Sequence, residues 1–211
     1  QPTGAQVIHG QAQFERNGNN LIITTRNGAG TNHSAIDWQS FSIPSGSITR
    51  FNQPSASSTS INRVLGDTPS SIFGTLRSNG RLVLVNPAGI AVGAGASVDT
   101  AGFTASTLGM STADALAGRQ AFSGQGGALQ VDGRIVARKG DVVLIAPNVA
   151  TGADAVVESQ GATVLAAGRK VEITGRGLEG IHLQVQAPEN AAVNLGTLEG
   201  GAVGAVGAHA A

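Results

Sequence analysis

Gly175, Gly177 and Gly180 carry the spacing of a dinucleotide-binding fingerprint, with Glu199 roughly twenty residues further on, where a ribose-binding carboxylate would stand. That chemistry needs the last glycine to open a helix whose N-terminus faces a pyrophosphate. The residues from Ile181 to Gln186 instead alternate apolar and polar, which is strand periodicity. Glycine-rich turns between strands account for the pattern without a nucleotide. His9, His33, His182 and His209 are scattered with no ligand spacing. They are expected at the surface, His33 included, although Asp37 lies close behind it. Asp67, Asp99, Asp114, Asp132, Asp141 and Asp154 are spread along the chain and read as solvated turn acids. There is no GxSxG elbow and no cysteine nucleophile. No catalytic residue, cofactor site or metal site is expected, and the chain does not read as an enzyme.

The most informative segment does structural chemistry. Asn86, Pro87, Ala88, Gly89 and Ile90 follow the apolar run Leu82–Val85. Asn at the first position, Pro at the second and Gly at the fourth is the residue set of a type I turn. Pro87 presets φ, and the Asn86 side chain can bond the backbone beyond the turn. The segment predicts a strand, a tight turn and a second strand.

Composition says what these elements can be. The 211 residues include 31 glycines, while aromatics make up 3% and charged residues 12%. Such a chain must stack small and β-branched side chains in regular layers. Trp38 and Phe41 would make a sugar-binding platform if exposed, but with so few rings to fill a core they are expected inside. The formal net charge is zero, so nothing would neutralise a phosphate backbone and nucleic acid is not an expected partner. Absent cysteine suits a large protein that must cross a membrane unfolded, because disulfides would lock it beforehand. No stretch approaches 18 apolar residues, and no membrane insertion is expected. The opening residues Gln1, Pro2, Thr3 and Gly4 suit a mature start after leader cleavage and equally a trimmed chain.

Period-2 patterning dominates. Residues 11–15 and 21–25 flank Asn17 and Gly18 and predict a hairpin with an Asn-Gly turn. The run from Gly80 echoes the run from Gly140, an offset of 140 − 80 = 60 residues, and the theme returns at Gly161, 161 − 140 = 21 residues later. A coil of roughly twenty residues, with three coils between the best-matched copies, predicts a parallel β-solenoid whose coils bury a core only by stacking. One short surface helix is predicted from Ser111 as N-cap to Gly118 as closing glycine. Residues 196–211, rich in Gly, Ala and Val, read as one more weak coil or a frayed end, with fraying favoured.

Several segments, in order, resemble one family. They are Ile36-Asp37-Trp38-Gln39-Ser40-Phe41-Ser42-Ile43, Phe51-Asn52-Gln53-Pro54-Ser55, Ile61-Asn62-Arg63-Val64-Leu65-Gly66, the stretch 71–90 ending in Asn86-Pro87-Ala88-Gly89-Ile90, and Gly102-Phe103-Thr104-Ala105-Ser106-Thr107-Leu108. The chain is similar to the haemagglutination-activity domain of two-partner secretion exoproteins, the N-terminal secretion domain of filamentous-haemagglutinin-like surface proteins and adhesins. The likeness is strong over 1–122 and looser to about 174. It implies a right-handed parallel β-helix with an N-terminal hairpin cap and a short surface helix. It divides a single 1–211 domain into a cap (1–30), coils with extra-helical loops (31–195) and a Gly/Ala-rich end (196–211). It implies a monomer recognised in the periplasm by POTRA domains of an outer-membrane β-barrel transporter of a Gram-negative bacterium. The chain would then be delivered with a downstream passenger to the cell surface or medium.

Where the family's turn reads Asn-Pro-Asn-Gly-Ile, this chain has Ala88; a type I turn accepts it, but a recognition role for the missing amide is lost. The motif residues that the resemblance offers for transporter recognition are Asn62, Arg63, Asn86, Pro87, Gly89 and Ile90. For Asn86 the alternative is holding the turn, and for Arg63 it is satisfying local carbonyls. Two other functions compete. One is an adhesin segment binding host or matrix carbohydrate directly; the other is a solenoid lyase acting on acidic polysaccharide. The lyase would need clustered acids and a placed cationic base, and neither cluster is visible.

Overall fold

Short β-branched runs broken by glycine turns pair with the next copy of themselves, one coil later. The computed structural model describes residues 1–175, 177–185, 189–207 and 209–210. It winds the chain through three sheets in rotation. The first face stacks Asn20–Arg26, Ile48–Asn52, Thr75–Ser78, Ser97–Thr100, Arg134–Ala137, Val156–Ser159 and Thr197–Glu199. The second stacks His33–Trp38, Thr59–Val64, Arg81–Val85, Gly102–Ser106, Val142–Ala146, Ala162–Ala167 and Ala202–Val206. The third stacks Ser70–Ile72, Ile90–Val92, Leu129–Val131, Asn148–Thr151, Ala191–Asn194 and His209–Ala210. Every ladder between successive turns is parallel. This is the parallel β-helix expected from sequence.

The coil count needs correcting. Phe103 lies beside Leu82 on one side and Val142 on the other, so the matched Gly80 and Gly140 runs are two turns apart, not three. The extra residues leave the stack after Ser106 as a helix, Thr112–Ala117, and a strand, Gln120–Ser123. A second departure after Ala167 forms strands Lys170–Ile173 and Ile181–Val185, which join Gln120–Ser123 in a three-stranded antiparallel sheet. The helix is built as its sequence predicts. Ser111 accepts a hydrogen bond from the Asp114 amide, and Gly118 closes it at φ 72°.

These excursions give the second face a core on each side. Inward, Ile36, Leu84, Ala105, Leu144 and Leu165 share one column and pack in the main core. Outward, Ala35, Ile61, Val83, Val143 and Val164 pack under Leu108, Met110, Ala115, Phe122 and Val171. A strand covered on both sides reads as an unbroken apolar run rather than an alternation. That is the pattern of Arg81–Val85 and Val142–Ala146, where Leu82–Val85 and Val142–Ala146 are all buried.

At the N-terminal end the stack is closed by two antiparallel strands. Gln6–His9 pairs with His33–Trp38, and Gln11–Asn17 pairs with Asn20–Arg26. They satisfy edge groups that would otherwise template another chain. The hairpin is present, but its central pair is Gly18-Asn19, because Asn17 pairs with Asn20. Only Gly18 has positive φ, at 59°, which is the type II′ arrangement rather than the Asn-Gly turn expected. Phe14 of this cap lies edge-on to Trp38 at 5.7 Å; Trp38 meets Phe41 at 5.4 Å, and Phe41 stacks on Phe51 at 6.4 Å. Trp38 and Phe41 are core residues, 1% and 2% exposed.

Candidate functional site

The Asn86 turn has the geometry its residues dictate. The Gly89 amide donates to the Asn86 carbonyl at 3.0 Å, closing the turn, while Ala88 keeps a negative φ. The Asn86 side chain is fully buried and all its polar groups are used. Its Oδ1 accepts from the Ala88 amide at 3.0 Å, and its Nδ2 donates to the Thr68 carbonyl at 3.0 Å and to Ser70 Oγ at 2.9 Å. It therefore ties the corner of one coil to the corner of the coil before. Gly89 and Ile90 are buried, and Ile90 enters the inner column of the third face. Pro87 is exposed at the tip and Ala88 half-buried beside it. The Gly127 amide donates to the Pro87 carbonyl at 2.8 Å.

Asn62 and Arg63 are adjacent in sequence but face opposite ways, as strand residues must. Asn62 replaces an apolar residue in the inner column between Ile36 and Leu84. It accepts from Trp38 Nε1 at 2.9 Å and donates to the Ser60 carbonyl and hydroxyl at 3.2 and 3.1 Å. The indole N–H, which needs a partner when buried, thus finds one inside the core. Arg63 points outward under the first excursion. It donates to both oxygens of Asp37, Nε to Oδ1 at 2.8 Å and NH2 to Oδ2 at 2.7 Å. It also donates to the Met110 carbonyl at 3.0 Å and Thr112 Oγ1 at 3.1 Å. Both Arg63 and Asp37 are 6% exposed.

Sequence reasoning missed this pin. Asp37 was not singled out as an ion-pair partner, yet it stands beside Arg63 on the neighbouring coil. His33 corrects an expectation. It is buried rather than at the surface, with its ring 4.1 Å from that of His9. Its Nε2 donates to the Ala115 and Leu116 carbonyls, each at 3.1 Å, capping the helix C-terminus from across the fold. His9 Nε2 meets Thr31 Oγ1 at 2.9 Å. Burial, and then the neighbouring His33, push the His9 ring below its ordinary pKa.

The remaining chemistry-bearing residues do not converge. Gly175 and Gly177–Gly180 form the loop of an antiparallel hairpin that leads into strand Ile181–Val185, not into a helix of binding length. Arg176 and Gln186 lie outside the described residues. The Gly177 amide donates to Asp141 Oδ2 at 2.7 Å, and Asp141 Oδ1 accepts from the Ala162 amide at 2.8 Å. Asp141 is therefore a hydrogen-bonded brace rather than a solvated acid. Asp99 is held by Arg138 through two 2.7 Å bonds, and that hydrogen bonding keeps its carboxyl below the usual range. Among the described residues no group of three or more His, Asp or Glu is placed to hold a metal ion. No helix among the described residues is long and apolar enough to cross a membrane. The arrangement does mechanical work: it pins coils to each other and to the first excursion.

Set against known proteins, residues 1–210 match the TPS secretion domain family. Over 106 residues, 50% of this chain, the sequence is 38% identical to a heme/hemopexin-binding protein of Haemophilus influenzae. A second Haemophilus influenzae protein of that name is 38% identical over 78 residues, 37% of the chain. The aligned stretches span only 11% and 8% of those relatives' length. The HMW1 secretion domain from Haemophilus influenzae superposes with a TM-score of 0.83 at 30% identity, over 97% of this chain and 57% of that one. The filamentous hemagglutinin secretion domain matches in fold, with a TM-score of 0.51 at 15% identity over 99% of both chains.

Proposed function

This chain belongs to the TPS secretion domain family, and from that premise we propose that the periplasmic POTRA domains of its outer-membrane transporter take it up while it is partly unfolded. The family is one of secreted proteins of Gram-negative bacteria, each with a cognate outer-membrane transporter. In this reading the chain leads a larger exoprotein through the transporter barrel and completes its β-helix at the cell surface. Stacking of coils there opposes backsliding, because each added coil buries core that the previous one left open.

The observation that carries the reading is the burial of the motif residues other than Pro87, which is exposed at the turn tip. Asn62, Arg63, Asn86 and Ile90 are each at most 6% exposed, and their polar groups are occupied within the domain. A folded domain cannot offer these side chains to a partner. They govern how the chain seals, and a transporter meets them only before sealing. Docking then uses strand edges of the unsealed chain, which accept an added strand through backbone hydrogen bonds. The absence of cysteine in all 211 residues keeps such a state free of covalent locks.

The test is a binding comparison with purified POTRA domains. One sample of the chain is diluted freshly from urea; the other is fully folded. Capture of the first, with at least tenfold weaker capture of the second, is the expected result. Failure to capture either sample would overturn the reading.

A further inference from the structure

We propose that the three Asn-Gly steps of this chain are sites of spontaneous deamidation, and that folding shuts two of them, Asn27-Gly28 and Asn79-Gly80. Conversion at those two before the coils seal then impairs sealing. The inference concerns the chain alone and does not rest on the transporter reading.

The chemistry needs only water. The backbone nitrogen of the glycine, its proton lost to solvent, attacks Cγ of the preceding asparagine. The bond from Cγ to the side-chain nitrogen breaks, and that nitrogen leaves as ammonia. The succinimide ring then takes up one water at either carbonyl. It opens to aspartate, or to isoaspartate, whose main chain is one carbon longer. Asparagine is a thermolabile residue, and glycine has no Cβ to shield the attacking nitrogen. Asn17-Gly18, Asn27-Gly28 and Asn79-Gly80 are the steps of this kind.

The structure places them in two environments. Asn79 lies at the surface, but its side chain is tied to the coil before it. The Gln53 amide donates to Asn79 Oδ1 at 2.7 Å, and Asn79 Nδ2 donates to the Gln53 carbonyl at 2.9 Å. The attacking group is engaged too, because the buried Gly80 donates its amide to Ser78 Oγ at 3.0 Å. At the second step Asn27 Nδ2 donates to Ser58 Oγ at 3.0 Å, and the Gly28 amide donates to the His33 carbonyl at 3.0 Å. Gly28 is buried against the His9 ring. Asn17-Gly18 has none of this. Both residues are exposed at the tip of the cap hairpin. Among the described residues the Gly18 amide donates no hydrogen bond and no side-chain bond holds Asn17.

Conversion at the shut steps strikes the joints between coils. Asn27 joins the first coil to the second, and Asn79 joins the second to the third. At Asn79 it replaces a donor by a carboxylate oxygen facing the Gln53 carbonyl, so that an attraction becomes a repulsion. At Asn27 it puts negative charge on a group whose Oδ1 is buried and accepts no hydrogen bond, which is a costly place for a charge. Any stage at which the chain waits unsealed leaves both steps open. The absence of cysteine removes covalent locks from such a state, but not this lesion.

The test is peptide mapping by mass spectrometry of the full chain, aged at neutral pH either folded or in urea. All three steps should convert in urea. In the folded chain Asn17 should convert at least tenfold faster than Asn27 and Asn79. Conversion of Asn27 or Asn79 as fast in the folded chain as in urea overturns the protection. Folded-chain conversion of Asn17 no faster than theirs overturns its place as the open site. The effect on sealing is read from Asn27→Asp, Asn79→Asp and Asn17→Asp. The unfolding constant at a fixed urea concentration should rise at least fivefold in the first two and stay unchanged in the third; failure of the first two to fold, with Asn17→Asp intact, is the same loss carried further. Either of the first two as stable as wild type, or Asn17→Asp as damaged as they are, overturns the effect on sealing and leaves the mapping to decide the chemistry.

Discussion

The two ends of this β-helix are built from different materials. The first coils carry the aromatic chain Phe14, Trp38, Phe41 and Phe51 and the buried polar pins Asn62, Asp37–Arg63, His33 and Asn86. Two antiparallel strands close them. The last coils fill equivalent columns with Ala166, Ala167 and Ala192, and they show Leu195, Val203 and Val206 at 70%, 47% and 43% exposure. Within 196–211, expected as a weak coil or frayed end, the described residues supply Thr197–Glu199, Ala202–Val206 and His209–Ala210, each paired along one side only among the described residues. Repeats stacked this way have stability made of local terms. The contrast therefore says where order is specified: at the capped end, by groups that fit one register only. A two-residue slip keeps an apolar column on its own face, but it takes a buried arginine away from its carboxylate.

The sharpest way to break this contrast is to remove one partner of the buried pair. Arg63→Met leaves Asp37 without its counter-charge in a site 6% exposed. Losing one member of a buried ion pair costs about 3–5 kcal/mol. The expected result is a urea midpoint well below wild type, with most of the loss recovered in the double variant Asp37→Leu/Arg63→Met. A single variant as stable as wild type would show that the pin does not specify the capped end.

Asn86→Ala is next. It removes the partners of the Thr68 carbonyl and the Ala88 amide at the turn and, inside it, the buried bond to Ser70 Oγ, where an unsatisfied buried group costs about 1–3 kcal/mol. The isolated domain should still fold, but more slowly in stopped-flow refolding, and delivery to the surface should fall. Unchanged delivery together with unchanged refolding would remove this turn from both roles.

Where the sequence was legible follows from the range of the interactions. The Asn86 turn and the Ser111 and Gly118 caps are local patterns, and the structure has them; the coil of roughly twenty residues holds only between excursions, as from Leu82 to Phe103 and from Val142 to Thr163. His33 was misplaced because its partners, Ala115 and Leu116, lie 82 and 83 residues away. Nothing near His33 announces them. The Asp37–Arg63 pair was closer to legible: its 26-residue separation is one coil. The excursions did leave a trace. Unbroken apolar runs at Leu82–Val85 and Val142–Ala146 signal a strand covered on both sides, and period-2 reading passes over that signal. The Gly18-Asn19 turn was shifted by one residue, because Asn-Gly and Gly-Asn overlap in Asn17-Gly18-Asn19 and only pairing register separates them. The site candidates were found as residues, but which way they face came only from register.

A smaller effect is expected from an ion pair on the later coils. Arg134 and Glu158 stand 3.8 Å apart with side chains 52% and 36% exposed. Such a surface pair contributes about 0–1 kcal/mol. Arg134→Ala should therefore shift the urea midpoint little, and less in high salt. A loss comparable to that of Arg63→Met would erase the distinction between the two regions.

The smallest effect separates the ends by pH. The folded His9 ring is held below its ordinary value of 6.5, first by burial and then by His33. The unfolded chain therefore takes up this proton at a higher pH than the folded chain does. The stability contributed by neutral His9 is fully present above 6.5, and it is lost as pH falls through the depressed folded value. Asp99 on the fourth coil has the opposite chemistry and a lower window. Its carboxyl is held below 3.8 by Arg138, so that contribution survives until the pH falls under 3.8 and into the folded range. Mild acid should thus loosen the His9–His33 junction of cap and first coil before it touches the Asp99–Arg138 pair. Thermal melts from about pH 7.5 to about pH 5 should show a shallow decline in wild type. His9→Phe, which keeps a ring against His33 but cannot titrate, should flatten it. A decline of equal slope in His9→Phe would mean that the titrating group is not His9, and that this contact does not make the capped end the first to respond to mild acid.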